Sequence, residues 1–227
     1  MSERRLAGKR VLITQADDFM GPALCEVFAE LGAEVIPDNG PLLDPARPER
    51  IVAAAGRVDV LIANLAVPAP RSWAHEVSDD EWRHVFAHMV DPLPRLFRAV
   101  LPQMIERKSG KIVVMGSASA LRGMKRTSSY SAARGAQLAY VQAVGVEVAP
   151  HNVQVNAIAQ NFVDNSTYFP PEIQANPAFQ QRLQAEVPVG RLGTPREDAL
   201  FAAFLASDEV NFMVGQAFPF CGGWVTR

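Results

Sequence analysis

The sequence predicts an α/β fold built on a parallel sheet. Short β-branched runs such as Val11-Leu12-Ile13-Thr14 and Asp59-Val60-Leu61-Ile62-Ala63 alternate with helix-length amphipathic stretches, the pattern of strands joined by crossover helices. Gly32, Gly56 and Gly110 each follow a helical stretch, where a C-terminal cap places a glycine. A chain of 227 residues fits one domain, 1–227, with length enough to bury a substantial core.

The elements follow in order. The first strand, 10–14, leads into a helix over 20–31 that Gly32 closes. A strand over 33–37 centres on Val35-Ile36, and a helix over 47–55 carries Ile51-Val52 before Gly56. The strand 58–63 precedes a long helical segment, 79–107, in which Pro92, Pro94 and Pro102 predict a break or kink. The strand 111–116, a helix over 129–149 and the strand 153–158 follow. The stretch 160–190 has little periodicity and several aromatics and prolines, so it reads as a long loop with a short helix, a candidate cover for a site. A helix over 195–207 and a strand over 216–220 end the chain.

Composition bounds the partners. A net charge of −2 offers no basic field for nucleic acid or an anionic membrane surface. The first ten residues, Met1 to Arg10, are charged and lead into only four strand residues, which is neither a signal peptide nor a membrane span, and a cytoplasmic location is expected. Cys25 and Cys221 lack metal-ligand spacing and are read as reduced thiols. His84 and His88 have helical ligand spacing but no evident third ligand, so no metal is expected. Trp73, Trp82 and Trp224 suit either a substrate or a subunit surface.

After the first strand stands Gln15-Ala16-Asp17-Asp18-Phe19-Met20-Gly21. A dinucleotide-binding loop places glycines at the positions of Gln15 and Phe19, because bare backbone lets a pyrophosphate approach a helix N-terminus. Here side chains occupy that floor. Further along, Ser117, Tyr130 and Arg134 have the spacing of a proton-transfer site.

At Asp59 to Asn64, Gly110 to Ser117 and Tyr130-Ser131-Ala132-Ala133-Arg134, and on through Val153 to Ile158, Arg191 to Pro195 and Gly222-Gly223, the chain resembles the short-chain dehydrogenase/reductase superfamily over nearly its full length. The resemblance implies a Rossmann-like doubly wound parallel sheet flanked by helices, assembled as a homotetramer through the 79–107 and 129–149 helices. Several departures narrow it. Two of three loop glycines are replaced, the basic residue is arginine rather than lysine, and no asparagine lies between Asn64 and Asn152 to join the proton relay. The 21 residues from Asp38 to Asp59 (59 − 38 = 21) suffice for one crossover and are short for the strand and helix that usually wall the adenine. Gln160-Asn161 replaces the usual Pro-Gly. The combination Thr-x-x-x-x-Phe-x-Gly with Ser-x₁₂-Tyr-x₃-Arg resembles the halohydrin dehalogenases, a cofactor-free branch of that superfamily.

That resemblance implies conversion of a vicinal haloalcohol to an epoxide, halide and proton, and the reverse opening of epoxides by small anions such as azide, cyanide or nitrite, with no cofactor and no metal. Tyrosine is a poor base near neutrality, its reference pKa being about 10, and an adjacent fixed positive charge favours a phenolate. Tyr130 and Arg134, at i and i+4, share a helix face. Arginine stays protonated in that role. Ser117, at a strand mouth, would orient the substrate oxygen. For the departing halide, Phe19 would form one wall, and the turn Gln160-Asn161-Phe162-Val163 would supply backbone N–H groups and a second wall. Two alternatives stay open. Asp38, placed where a ribose-binding acid would sit, supports an NAD(P)-dependent reductase with a degenerate loop, and a non-catalytic binding protein on the same fold is the other.

Overall fold

Six strands pair only in parallel, in the order β2-β1-β3-β4-β5-β6, in this computed structural model, which describes residues 5–226. They are β1 (Arg10–Thr14), β2 (Glu34–Asp38), β3 (Val60–Ala63), β4 (Gly110–Ser117), β5 (Val153–Gln160) and β6 (Ala217–Phe220). Eight α-helices are interleaved: α1 (Gly21–Glu30), α2 (Arg47–Ala55), α3 (Asp79–Met89), α4 (Pro92–Arg107), α5 (Ser128–Val148), α6 (Pro171–Gln174), α7 (Pro177–Glu186) and α8 (Pro195–Ala206). Strands covered by helices on both faces are mainly apolar, and β3 and β4 are buried along their whole length. Their alternate side chains feed two cores. Leu12, Leu61, Ile112 and Val114 meet Val52, Phe97 and Val141 on one face. On the other, Ile13, Ile62, Val113 and Met115 meet Leu24, Phe28 and Ala202. The fold is therefore the Rossmann-like doubly wound sheet that the sequence implied.

Local chemistry explains the element ends. The 79–107 segment divides at Val90-Asp91, with Pro92 opening α4 where a missing N–H costs nothing, while Pro102 is tolerated inside that helix. Gly56 caps α2 at φ 66°, and Gly32, at φ 91°, follows α1. Gly110 does not cap α4. Lys108 takes the left-handed position at φ 51°, and Gly110 begins β4, where a Cβ would come within 2.4 Å of Met104 Sδ. The stretch 160–190 is more ordered than expected and holds two helices. Asn176 caps α7 by accepting from the Ala178 N–H, with Pro177 at the first position. Phe162, Leu183, Val187, Cys221 and Trp224 form a small core beneath it.

The interval between Asp38 and Asp59 holds α2 alone, so β2 is the sheet edge. β4 runs one residue and β5 two residues past the expected ends at 116 and 158, and their register sets Ser117 directly beside Gln160. No described helix is long and apolar enough to cross a membrane. Cys25 and Cys221 are free thiols.

Candidate active site

A cavity of about 130 Å³ opens at the carboxyl ends of the strands, the side on which open α/β sheets bind ligands. Ser117, Tyr130, Arg134, Phe19, Gln160, Asn161, Phe162 and Val163 all line it. Asp38 is not in its lining. The Arg47 guanidinium donates to Asp38 Oδ1 at 2.5 Å, while Oδ2 is buried without a partner. Burial pushes the Asp38 carboxyl up, against the opposing pull of Arg47.

The loop after β1 keeps a glycine backbone without the glycines. Gln15 and Phe19 both adopt left-handed conformations, at φ 45° and 52°. The Gln15 amide donates to Ala66 O at 3.0 Å and accepts from Ala66 N–H at 2.7 Å, an arrangement that ties the loop to the chain leaving β3. Asn64 Nδ2 donates to the carbonyls of Gln15 and Asp18, each at 3.0 Å. Gly21 alone has no substitute, because a Cβ there would fall 2.2 Å from Gln15 O. The Phe19 ring lies 5.6 Å from that of Tyr168. Side chains thus stand at both positions that a pyrophosphate-binding loop keeps bare, Gln15 turned to Ala66 and Phe19 lining the cavity.

Tyr130 and Arg134 leave the first turns of α5 toward the cavity. Arg134 is only 2% exposed. Its Nη1 donates to Leu65 O (3.1 Å), Met115 O (2.8 Å) and Gln137 Oε1 (2.9 Å). Gln137 is held in turn by donating to Met89 O at 2.7 Å. The guanidinium carbon stands 5.0 Å from the Tyr130 ring centroid, and Arg134 Nε is buried without a partner. Arg134 therefore stands beside Tyr130 as a buried guanidinium, and no hydrogen bond joins it to the Tyr130 hydroxyl among the described residues. Ser117 Oγ accepts from the Ser119 hydroxyl (3.0 Å) and the Ser119 N–H (3.2 Å), which leaves its own proton to donate outward.

In the turn after β5, two of the expected backbone donors are engaged and that of Val163 has no acceptor among the described residues. Asn161 N–H donates to Phe220 O at 3.0 Å and Phe162 N–H to Asn161 Oδ1 at 2.9 Å, so both are already engaged. A further free donor is the Asn161 side chain, whose Nδ2 is buried and unpartnered; Gln160 Oε1 is a buried unpartnered acceptor. Arg71 and Arg182 also line the cavity, and no carboxylate does among the described residues. The cavity thus carries three arginines and a net positive field.

Ser119 and Gln137 were not singled out from the sequence, although the Ser117-Ala118-Ser119 run and the i+3 spacing from Arg134 carry a signal for them. Tyr168, whose hydroxyl lies 3.2 Å from that of Tyr130, was not signalled, because it comes from the aperiodic stretch. The His84 and His88 rings lie 4.2 Å apart, tilted by 42°, and the described residues hold no group of three or more His, Cys, Asp or Glu suited to a metal ion. Trp224 is buried under Arg122, whereas Trp73 and Trp82 are exposed.

A family profile described as enoyl-(acyl carrier protein) reductase matches residues 6–225. The 3-oxoacyl-[acyl-carrier-protein] reductase FabG of Vibrio cholerae serotype O1 is 30% identical over 96% of this chain and 98% of that protein. Among solved structures, one described as a dehalogenation enzyme superposes with a TM-score of 0.90 at 30% identity, covering 96% of this chain and 99% of that one. Another, halohydrin dehalogenase (HheC) bound to ethyl (2S)-oxiran-2-ylacetate, gives a TM-score of 0.87 at 26% identity with the same coverage.

Proposed function

The chain belongs to the short-chain dehydrogenase/reductase superfamily, through the family described as enoyl-(acyl carrier protein) reductase, and within it we propose a cofactor-independent dehalogenase of vicinal haloalcohols. One observation carries the reading. Gln15 and Phe19 hold the backbone shape of a glycine loop while carrying side chains, Phe19 lining the cavity and Gln15 bonded both ways to Ala66. Side chains at the two positions that a pyrophosphate loop keeps as glycine argue against a bound dinucleotide and hence against hydride transfer. The likeness to the two dehalogenases, in fold and at 26–30% identity, supports the same reading.

The residues divide the chemistry. Ser117 donates to the substrate oxygen, and Tyr130 as phenolate takes its proton. The oxygen then displaces the halide from the neighbouring carbon: the C–O bond closes, the C–halogen bond breaks, and the halide leaves with its electron pair. Because the attack is intramolecular, positioning supplies much of the rate. What remains is stabilisation of the developing anion, for which Asn161 Nδ2, the walls Phe19 and Phe162, and a carboxylate-free cavity are suited. In reverse, a halide or another small anion opens an epoxide.

The 30% identity to a reductase and the carboxylate of Asp38 favour a second reading, an NAD(P)-dependent oxidoreductase. Halide release from small chloro- and bromo-alcohols separates the two. The wild type should release halide, and Tyr130→Phe should lose about 10²–10⁴-fold in rate with its fold intact. Millimolar NAD or NADP should leave the melting temperature unmoved, since a ligand stabilises by RT ln(1 + [L]/Kd). A saturable shift of several degrees with no halide release would transfer the assignment to the reductase.

A further inference from the structure

Tyr168 has one hydroxyl proton and two neighbours. Its Oη lies 2.6 Å from Val67 O and 3.2 Å from Tyr130 Oη. A carbonyl only accepts, so the shorter bond uses the Tyr168 proton. The Tyr130 contact must then run the other way, with Tyr130 donating and Tyr168 accepting. That arrangement holds while Tyr130 is a phenol. Once Tyr130 has lost its proton it can no longer donate, and two lone pairs would face one another across 3.2 Å.

We propose that Tyr168 is a hydroxyl switch for the base: its proton points to Val67 O when Tyr130 is protonated and turns about the C–O bond to donate to Tyr130 Oη when Tyr130 is a phenolate. The proposal rests on the reading of Tyr130 as the general base. The bookkeeping of protons is complete. The substrate hydroxyl proton passes to the Tyr130 phenolate, the Tyr168 proton swings back to Val67 O, and Tyr130 then donates to Tyr168. Loss of the Tyr130 proton to solvent resets the pair. No proton leaves Tyr168 at any stage.

The surroundings suit a donor that stays protonated. Burial, and next the neighbouring Tyr130, push the Tyr168 phenol far up, while Arg134 opposes them. The charged groups that face the pair are Arg134 from α5, Arg71 from the chain after β3 and Arg182 from α7. All three are cationic, and no carboxylate lines the cavity among the described residues. The Tyr168 ring is braced by Phe19 at 5.6 Å, and its backbone N–H donates to Asn165 Oδ1 at 2.9 Å, so the ring stays put while the hydroxyl turns. A charge-assisted bond is about twice as strong as a neutral one, and the switch supplies one only in the ionised state.

The chain has three tyrosines, which makes their ionisation readable. In a Tyr140→Phe background, ultraviolet phenolate absorbance should rise in two separated steps, and adding Tyr168→Phe should move the first step up by about one pH unit or more. An unmoved first step in a folded double variant would overturn the switch. In the wild type, tyrosine carbon-13 ζ signals provide a measurement that needs no variant: the Tyr168 signal should move with the midpoint of the first phenolate without itself ionising. A Tyr168 signal indifferent to that step would equally overturn it. Neither measurement uses a haloalcohol. A missing halide release alongside the expected titrations would remove the dehalogenase reading and leave the switch standing.

Discussion

Two residues hold a backbone conformation suited to glycine. Left-handed φ at Gln15 and Phe19 costs roughly 1 kcal/mol or more each, and it persists because Asn64 and Ala66 hold the loop from the neighbouring strand end. A second unusual residue lies away from the cavity. Asp198 in α8 is fully buried with neither carboxylate oxygen partnered, and burial pushes its carboxyl up to about 7. In the unfolded chain it titrates near 4. Between pH about 4 and about 7 the unfolded chain releases this proton while the fold keeps it, so folding stability falls as pH rises through that window and is level above it. The full loss is on the order of 4 kcal/mol. Asp198→Asn cannot titrate, so the difference in urea midpoint between wild type and variant should change from pH 4 to pH 7 and stay constant from pH 7 to 9. Parallel curves throughout would mean that Asp198 finds a partner the fold does not reveal.

At the scale of elements, Glu81 links three segments. Ser78 caps α3 by accepting from the Glu81 N–H at 3.0 Å. The Glu81 carboxylate does not return to the cap. It accepts from Ser72 Oγ at 2.5 Å and from Ser129 Oγ at 2.6 Å, and so joins the chain after β3 to the first turn of α5, one residue before Tyr130. Ser129 is 1% exposed, so removal of the acceptor leaves a buried hydroxyl unpaired. Glu81→Ala should cost about 2–3 kcal/mol and lower the melting temperature by about 5–10 °C. Ser129→Ala, which removes the buried hydroxyl itself, should cost less. Equal, negligible shifts in calorimetry would show that the clamp does not hold α3 to α5.

The whole molecule leaves apolar surface on the helices that flank the cavity. Val146 on α5 is 71% exposed, and Trp82 on α3 is 44% exposed and stacked on Phe86 at 4.5 Å. Burial between copies of the chain is the proposed role of these faces, as in the superfamily resemblance. Light scattering should give four times the 24.7 kDa chain mass, and Val146→Glu should reduce it. A wild-type mass of one chain would remove the tetramer. What the sequence by itself determined is what local chemistry encodes: the six apolar runs, the break at Pro92, the filled glycine loop, and the i, i+4 spacing of Tyr130 and Arg134. Its misreadings were also local, since Gly110 serves strand packing against Met104 rather than a cap, and the proline-rich cover folds into helices that periodicity did not reveal. The tertiary structure alone decided which distant groups share a proton or a donor. Tyr168 meets Tyr130 across 38 positions and Glu81 meets Ser129 across 48. Asn161 is held by Phe220, on the neighbouring strand, which accepts its backbone N–H, and its Nδ2 is left without a partner. Periodicity records which face of an element is buried, whereas such pairings depend on the path of the chain between elements, and no spacing along the sequence carries that.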